Sequence, residues 1–203
     1  MAYFISRLIL KVLLKILFRF EVRGSENLPR KGPFIVASNH ASLIDPAVVG
    51  VACRTVPVIF MAKRELFGVP ILGPWVKAVG CIPVERDSGS FKTLKNAVKK
   101  LKEGKALGIF PEGRRSPDGR LQKPEAGIGL LVSKSAAPIV PVYVSGTDKA
   151  LARGKKFITP CKVTAKIGKI ISIKETTEFS GRREIYESIG EKVINVISRL
   201  KDE

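Results

Sequence analysis

The chain has 203 residues, of which 45% are hydrophobic and 27% charged, a balance typical of a folded domain and not of a disordered segment. Lysine and arginine number 36 against 18 acidic residues, so the formal net charge is +18 and we expect an acidic partner. An anionic membrane and an anionic substrate meet that condition, whereas an aromatic content of 7% and the lack of a nucleic-acid-reading motif argue against nucleic acid.

Residues 1–20 predict an amphipathic helix that lies on a membrane surface. Basic residues recur at every fourth position in an otherwise apolar segment, at Arg7, Lys11, Lys15 and Arg19. In a helix they form one stripe about 120° wide, and the remaining circumference is apolar. A membrane-spanning helix would place such charges in hydrocarbon at roughly 2.5 to 3.5 kcal/mol each, whereas an interfacial helix lets them reach lipid headgroups. A helix packed on the protein's own core is the alternative.

Residues 21–203 predict a single α/β domain. Short apolar runs bounded by glycine, proline or charge predict buried strands at 34–38, 56–62, 79–84, 106–110 and 138–144, and an alternating run predicts a half-exposed strand at 161–173. Helices are predicted at 46–53, 91–104, 127–136 and 183–200. We therefore expect a mostly parallel or mixed central sheet flanked by helices.

The cysteines and the histidine argue against a metal site. Cys53, Cys81 and Cys161 lie far apart in the sequence, and His40 is the only histidine. Because metal sites and disulfide frameworks usually show close or paired spacing, we interpret the cysteines as buried thiols in a reducing compartment.

The segment around His40 is the first candidate for chemistry. His40 directly follows a predicted buried strand, and Asp45 lies five residues later. In a continuous helix the two side chains would be about 140° apart, so we expect a turn, with Asp45 as the cap of a helix that starts at Pro46. The carboxylate can then bend back to the imidazole and fix its tautomer. An ordinary helix start beside an incidental histidine is the alternative, although histidine is the side chain best suited to general-base catalysis at neutral pH.

A second candidate follows the strand predicted to end at Phe110. The next residues include Glu112, Gly113, Arg114 and Arg115. Main-chain NH groups around a glycine, flanked by two guanidinium groups, favour a phosphate site, because arginine offers a bidentate fork to phosphate oxygens. A charged loop in solvent is the alternative.

Four segments, taken in order, resemble the motifs of the 1-acyl-glycerol-3-phosphate acyltransferases of the glycerol-phosphate acyltransferase superfamily. The matching positions are Asn39, His40 and Asp45, then Gly80 and Arg86, then Phe110 to Gly113, and finally Ile139 to Val142. One such motif is a weak signal, whereas several in order at sensible intervals are a strong one. The chain departs from the family at Arg114, where threonine is common, so a phosphate role for Arg114 is our inference from its chemistry.

The resemblance implies roles for the matched residues. His40 resembles the general base, and Asp45 resembles its orienting partner. The residues that resemble the site of the acceptor's glycerol phosphate are Arg86, Glu112, Gly113 and, in a looser match, Lys123. The resemblance also implies residues 21–203 as an acyltransferase domain, lysophosphatidate as acceptor, phosphatidic acid as product, and an acyl thioester as co-substrate with no cofactor.

Donor, acceptor, location and acyl site stay open at this point. Acyl carrier protein and coenzyme A are both acidic, so the charge does not choose between them. Glycerol 3-phosphate or a lyso-aminolipid are alternative acceptors, and a non-catalytic membrane- or lipid-binding protein is a different class with the same basic surface. We expect a peripheral or monotopic protein on the cytoplasmic face of the cell membrane. We expect 56–62 and 67–76 to line the acyl groove, although core packing explains them equally.

Overall fold

The structure, a computed structural model, describes residues 2–84, 89–155, 157–173 and 182–202. Its strands are β1 (Glu21–Arg23), β2 (Phe34–Ser38), β3 (Val58–Lys63), β4 (Ile82–Val84), β5 (Ala106–Ile109), β6 (Ile139–Ser145) and β7 (Thr164–Ile167). Its helices are α1 (Ala2–Phe18), α2 (Asp45–Ala52), α3 (Leu72–Ala78), α4 (Gly89–Lys102), α5 (Gly127–Ser135), α6 (Thr147–Ala150) and α7 (Arg182–Asp202).

The strands form one mixed sheet in the order β1-β7-β6-β2-β5-β3-β4. The strands from β6 to β4 run parallel to one another, whereas β7 is antiparallel to β6 and β1 is parallel to β7. The expectation of a mostly parallel or mixed sheet flanked by helices is therefore confirmed. Because β2 and β5 are parallel neighbours, the turns that follow them meet at one edge of the sheet, where α/β folds usually bind ligands.

Strand β2 shows how the sheet divides two hydrophobic cores. Phe34 and Val36 belong to the cluster that packs against α1 and α2. Ile35 and Ala37 belong to the cluster that packs against α4, α5 and α7. Both faces of the strand are buried, as expected of a central parallel strand, and this explains why its sequence is continuously apolar rather than alternating.

Helix α1 confirms the predicted N-terminal helix and packs on the domain only in part. Leu14 and Phe18 are buried in the core cluster beside α2. Seven other apolar side chains of this helix are exposed, namely Phe4, Ile5, Leu8, Ile9, Val12, Leu13 and Ile16. Within the described ranges, no helix combines the length and apolar character needed to cross a membrane.

Several predicted elements differ in extent. The strand predicted at 161–173 is confined to β7, with one further bridge from Ile171 to Ile139. The strand predicted at 79–84 begins only at Ile82, because Gly80 has a φ of +81° in the turn after α3. Helix α3 was not predicted, since its run is rich in glycine and proline. Of the cysteines, Cys53 is buried as predicted, whereas the thiols at 81 and 161 are partly exposed.

Candidate active site

His40 lies in the turn after β2, and two residues of the turn after β5 hydrogen-bond to its main chain. The amide of His40 donates to Oε1 of Glu112 at 2.8 Å. The carbonyl of His40 accepts a hydrogen bond of 2.7 Å from the amide of Ser116. The two segments singled out in the sequence therefore form one site, and the second fixes the backbone of the first.

Asp45 orients the imidazole of His40. Its Oδ2 lies 2.9 Å from Nδ1 of His40 and also accepts the amides of Ala41 and Ser42, each at 2.7 Å. Asp45 is completely buried, and its other oxygen, Oδ1, has no partner among the described residues. The carboxylate bends back to the imidazole as predicted, whereas the cap of α2 is Ile44 and Asp45 is the first residue of the helix.

The imidazole faces a cavity with one nitrogen free. A carboxylate on Nδ1 holds the proton there, so Nε2 presents its lone pair. The ring is 17% exposed and stacks on Phe110 with 4.0 Å between ring centroids and 18° between planes. Within the part of the chain that the structure describes, no residue hydrogen-bonds to Nε2. This arrangement suits a general base that waits for a substrate proton.

Asn39 fastens the end of β2 to β6. Its Nδ2 donates to the carbonyl of Val144 at 2.8 Å, and its Oδ1 accepts the amide of Val144 at 2.7 Å. The side chain is buried, so this pairing continues the ladder between the two strands by one step. In the sequence, Asn39 was only a motif match, and its contribution here is to position the next residue, His40.

Glu112 is a buried carboxyl group that supports the turn of His40. It is 1% exposed, and its second oxygen, Oε2, accepts the amide of Gln122 at 3.1 Å. Burial raises the pKa of Glu112 to about 7, and the charge of Asp45 adds to the rise, while the amides of His40 and Gln122 oppose it. In this structure the carboxyl group of Glu112 holds the main chain of His40. Its role in binding the glycerol phosphate stays a prediction.

Gly113 allows the second turn to close. Its φ is +66°, and a Cβ at this position would lie 2.8 Å from Cγ of Glu125, so only glycine fits without rearrangement. Its amide donates to the carbonyl of Phe110 at 3.0 Å, which means that it is already used inside the turn. The expected phosphate cradle of free amides around Gly113 is therefore not seen at this amide.

The cavity beside His40 has a volume of about 760 Å³ and combines cations with an apolar wall. The described cationic residues that line it are Lys63, Arg114, Arg115 and Arg153. Its apolar lining includes Met61, Leu94, Ile109, Ile128 and Leu130. Such a cavity suits a molecule with an anionic head and a hydrocarbon tail. Met61, from the predicted run 56–62, lines this cavity, whereas none of residues 67–76 is among its described lining residues; the acyl groove itself stays a prediction.

The remaining predicted residues have different placements. Arg114 lines the cavity beside Gly113. Lys123 is exposed and is not among the described residues that line the cavity, and Arg86 lies outside the described residues. The roles of all three stay predictions.

Sequence reasoning missed the cations that come from other parts of the chain. Lys63 ends β3, and Arg153 follows α6. Nη1 of Arg153 donates to the carbonyl of Arg115 at 3.3 Å, which brings its loop to the cavity. Neither residue sits in a motif, and only the order of the strands in the sheet could have indicated them.

Comparisons with known proteins agree on the family of this chain. The family model described as Acyltransferase matches residues 19–145. A 1-acyl-sn-glycerol-3-phosphate acyltransferase of Bacillus subtilis is 32% identical over 160 residues, which cover 78% of this chain and 77% of the relative. The beta form of that enzyme from Homo sapiens is 31% identical over 157 residues, and the match covers 73% of this chain and about half, 54%, of the human protein.

A solved structure extends the agreement to the fold. The crystal structure of PlsC, the 1-acyl-sn-glycerophosphate acyltransferase of Thermotoga maritima, superposes with a TM-score of 0.80 at 28% sequence identity. The match covers 99% of this chain and 80% of the Thermotoga chain. A non-catalytic lipid-binding protein is therefore the wrong class. The chain belongs to the acyltransferase family, and within it to the 1-acyl-sn-glycerol-3-phosphate acyltransferases, and it is an enzyme of that family.

Proposed function

We propose that the protein transfers a fatty acyl group from an acyl thioester to the free hydroxyl of 1-acyl-glycerol 3-phosphate and so makes phosphatidic acid. The observation that carries the proposal is the Asp45-oriented imidazole of His40 at the edge of a cavity that is both cationic and apolar. Relatives named for this reaction support the choice of acceptor.

The chemical step is a direct transfer assisted by a base. Nε2 of His40 takes the proton of the acceptor hydroxyl as that oxygen attacks the thioester carbonyl. The tetrahedral intermediate then expels the thiolate, which takes the proton from the imidazolium and leaves as a free thiol. Asp45 stabilises the imidazolium that forms in between. Among the described residues, no serine or cysteine contacts His40 as a partnered nucleophile, so the proposal includes no acyl-enzyme intermediate.

The developing oxyanion needs donors other than the amides of the catalytic turn. The amides of Ala41 and Ser42 are bonded to Asp45, and those of His40 and Gly113 are also engaged. In the described part of the chain, the amides of Arg114 and Arg115 have no acceptor, and both residues line the cavity. We propose that these two main-chain amides donate hydrogen bonds to the oxyanion.

The cations of the cavity select an acceptor that carries phosphate. A guanidinium group binds phosphate through two parallel hydrogen bonds, whereas a zwitterionic headgroup would bring a second cation among Lys63, Arg114 and Arg115. Lysophosphatidate is therefore favoured over a lyso-aminolipid. The apolar lining favours it over glycerol 3-phosphate, which has no tail to bury.

We also propose that the enzyme works at an anionic membrane surface through α1. The exposed apolar side chains of this helix and its basic stripe fit an interfacial position on the cytoplasmic face. Either acyl carrier protein or coenzyme A can deliver the thioester to a surface of this charge, and both arms belong in the test.

The experiment is an acceptor panel with thiol release as readout. Purified enzyme is mixed with acyl-coenzyme A or with acyl carrier protein charged with a fatty acyl group, and with lysophosphatidate, glycerol 3-phosphate, a lyso-aminolipid or a monoacylglycerol. We expect thiol release to be fastest with lysophosphatidate and to yield phosphatidic acid in equal amount. A higher kcat/KM with the lyso-aminolipid or with glycerol 3-phosphate would refute the proposed acceptor.

A further inference from the structure

Residues 69–75, between β3 and β4, comprise a strained turn at Ile71 and the first residues of α3, and they present apolar side chains to solvent. Ile71 is 89% exposed, and its φ of +65° and ψ of −52° place it at the centre of a γ-turn closed by the amide of Leu72 on the carbonyl of Pro70 at 2.7 Å. This γ-turn is the rare and strained form, and a β-branched residue at positive φ is an outlier. Strain of this kind persists where function requires it, and here it directs a large apolar side chain away from the domain.

This turn is attached to the N-terminal helix. Nε1 of Trp75 donates to Oγ of Ser6 at 2.8 Å, so α3 lies beside the first half of α1. Tyr3 of α1 also accepts the amide of Val58 at 3.0 Å, which ties the same half to β3. Residues 69–75 and the first half of α1 are therefore neighbours, and both carry exposed apolar side chains.

We propose that residues 69–75 form a second bilayer-contacting element, which inserts beside α1 into the headgroup region of a membrane with anionic lipid. The inference rests on the membrane position proposed for α1 and adds a contact that the amphipathic pattern of the helix does not contain. Val69, Ile71 and the indole of Trp75 are the inserted groups, all of them exposed in the structure.

Charge favours a lipid surface over a protein partner as the occupant. Residues 2–20 and 66–84 contain no aspartate or glutamate, and their ionisable charges are basic, including Lys77 in the last turn of α3. The exposed Glu65 directly precedes this segment, but the basic residues of α1 together with Lys77 outnumber it, and a net positive charge fits a leaflet whose headgroups are anionic. Trp75 is 36% exposed with its NH satisfied by Ser6, and a partly exposed tryptophan of this kind is also typical of the membrane interface.

The second contact would fix the orientation of the domain on the membrane. A single interfacial helix touches the bilayer along a line, and the domain can roll about the axis of that helix. A contact displaced from the axis removes this rotation, because tilting the domain would pull Ile71 and Trp75 out of the interface. The turn is therefore expected to act on productive binding of lipid substrates and not on the chemistry at His40.

The protein carries its own probe for this inference, because Trp75 is its single tryptophan. Wild-type enzyme is titrated with vesicles of phosphatidylcholine and phosphatidylglycerol in which a share of the lipid is brominated at a shallow or a deep acyl position. We expect the emission of Trp75 to shift to the blue on vesicle binding, with stronger quenching by the shallow bromines. Vesicle binding without shift or quenching would overturn the inference and leave α1 as the proposed contact.

A matched pair of variants measures the contribution to affinity. Ile71→Asp is expected to weaken vesicle binding about tenfold, the lower end of what burying an isoleucine contributes. Ile170→Asp is the control, since Ile170 is also an exposed isoleucine. Its neighbour Ile171 pairs with Ile139 of β6 and packs in the core cluster of α4, α5 and α7, not in the cluster that contains α1. Equal affinity of the two variants would reject the second contact.

Three further outcomes separate this inference from the proposed reaction or overturn it. Turnover of a short-chain, water-soluble lysophosphatidate should be the same in Ile71→Asp as in the wild type. If the wild type does not turn this substrate over, the proposed reaction is rejected and the proposed membrane contact is unaffected. A blue-shifted Trp75 in a lipid-free dimer would show that a second copy of the chain covers the turn, which also overturns the inference. Absence of all vesicle binding would reject both membrane contacts.

Discussion

The two sides of the cavity are built in opposite ways. On the catalytic side, Asn39 and Asp45 are buried, and each makes at least two hydrogen bonds that fix the turn. On the cationic side, Arg114 and Arg153 are exposed, and the ion pairs seen among the described residues include neither of them. Proton transfer requires a fixed distance and angle, whereas attraction between a cation and a phosphate falls off gradually with distance. Rigidity is therefore concentrated around the proposed general base and not around the proposed phosphate-binding cations.

Replacing His40 should have the largest effect. We expect His40→Ala to lower kcat by at least about a thousandfold, because the proposed general base is lost, with little change in KM. Steady-state thiol release with lysophosphatidate measures both, and circular dichroism verifies the fold. A residual kcat within tenfold of the wild type would show that the rigid side of the cavity is not the catalytic one.

Asp45→Asn should come next, with a decrease in kcat of about a hundredfold or more. The amide can donate to Nδ1 and so favour the wrong tautomer of His40, as the corresponding change does in hydrolytic triads. Asp118→Asn is a suitable control, because Asp118 accepts hydrogen bonds from Ser116 and Arg120 in the neighbouring turn but is exposed. Comparable losses in the two variants would mean that turn stability, and not tautomer control, explains the effect.

Glu112→Gln tests how the carboxyl group that holds the main chain of His40 contributes to the pH dependence of stability. The folded-state pKa of Glu112 is raised to about 7, so its contribution to stability is fully present below the unfolded pKa near 4.5 and is lost as the pH rises through 7. A shift of this size corresponds to about 3 kcal/mol of unfolding free energy. Urea unfolding between pH 4.5 and 8 should show this decline in the wild type and not in the variant.

The activity of the same variant gives a second readout. Losing the carboxylate leaves the amide of His40 or of Gln122 without its acceptor, and we expect kcat to fall about tenfold at pH 7 as the turn loosens. Parallel stability curves for wild type and variant would contradict the assigned cause of the pH dependence, whatever the activity.

Removing one cation from the cationic side of the cavity should weaken binding of the acceptor's phosphate. Arg114→Ala is expected to raise the KM for lysophosphatidate about tenfold and to leave KM for a monoacylglycerol unchanged, because the latter has no phosphate to lose. Arg114→Lys keeps the charge without the bidentate fork, so its KM for lysophosphatidate should lie between those of the wild type and Arg114→Ala. Equal effects on both acceptors would assign Arg114 to the reaction rather than to phosphate recognition.

The smallest effect is expected at Lys123. This residue is exposed and outside the cavity lining, so Lys123→Ala should change kcat/KM for lysophosphatidate less than threefold, within the range of an exposed and screened charge. A tenfold or greater loss would show that the loop moves on substrate binding and would restore the role implied by the family resemblance.

The catalytic side could be predicted from sequence because its parts are local. His40 and Asp45 lie five residues apart, and the proline after Asp45 limits how the turn can run. The strands were recognisable because β2, β5 and β6 are buried on both faces and read as continuous apolar runs. The helix start differs by one residue, with Ile44 as the cap and Asp45 as the first helical residue, because an aspartate before proline fits either position.

The other features depend on contacts between distant segments. The link between Glu112 and His40 requires β2 and β5 to be neighbours, which strand patterns do not specify. Arg153 reaches the cavity through a loop that follows α6, with no motif to mark it. Residues 67–76 were assigned to an acyl groove because an apolar run with glycine and proline looks the same in a groove, a core or an exposed turn.

The short connection between α1 and the sheet has a consequence for how the enzyme meets its substrates. Helix α1 ends at Phe18 and β1 begins at Glu21, while Val163 donates to the carbonyl of Phe18 and accepts the amide of Glu21. Such a junction is a stiff joint and not a tether, so a domain whose α1 rests in the leaflet stays at one height above it. Lipid acceptors would then arrive by lateral diffusion in two dimensions, while the thioester donor arrives from the water phase.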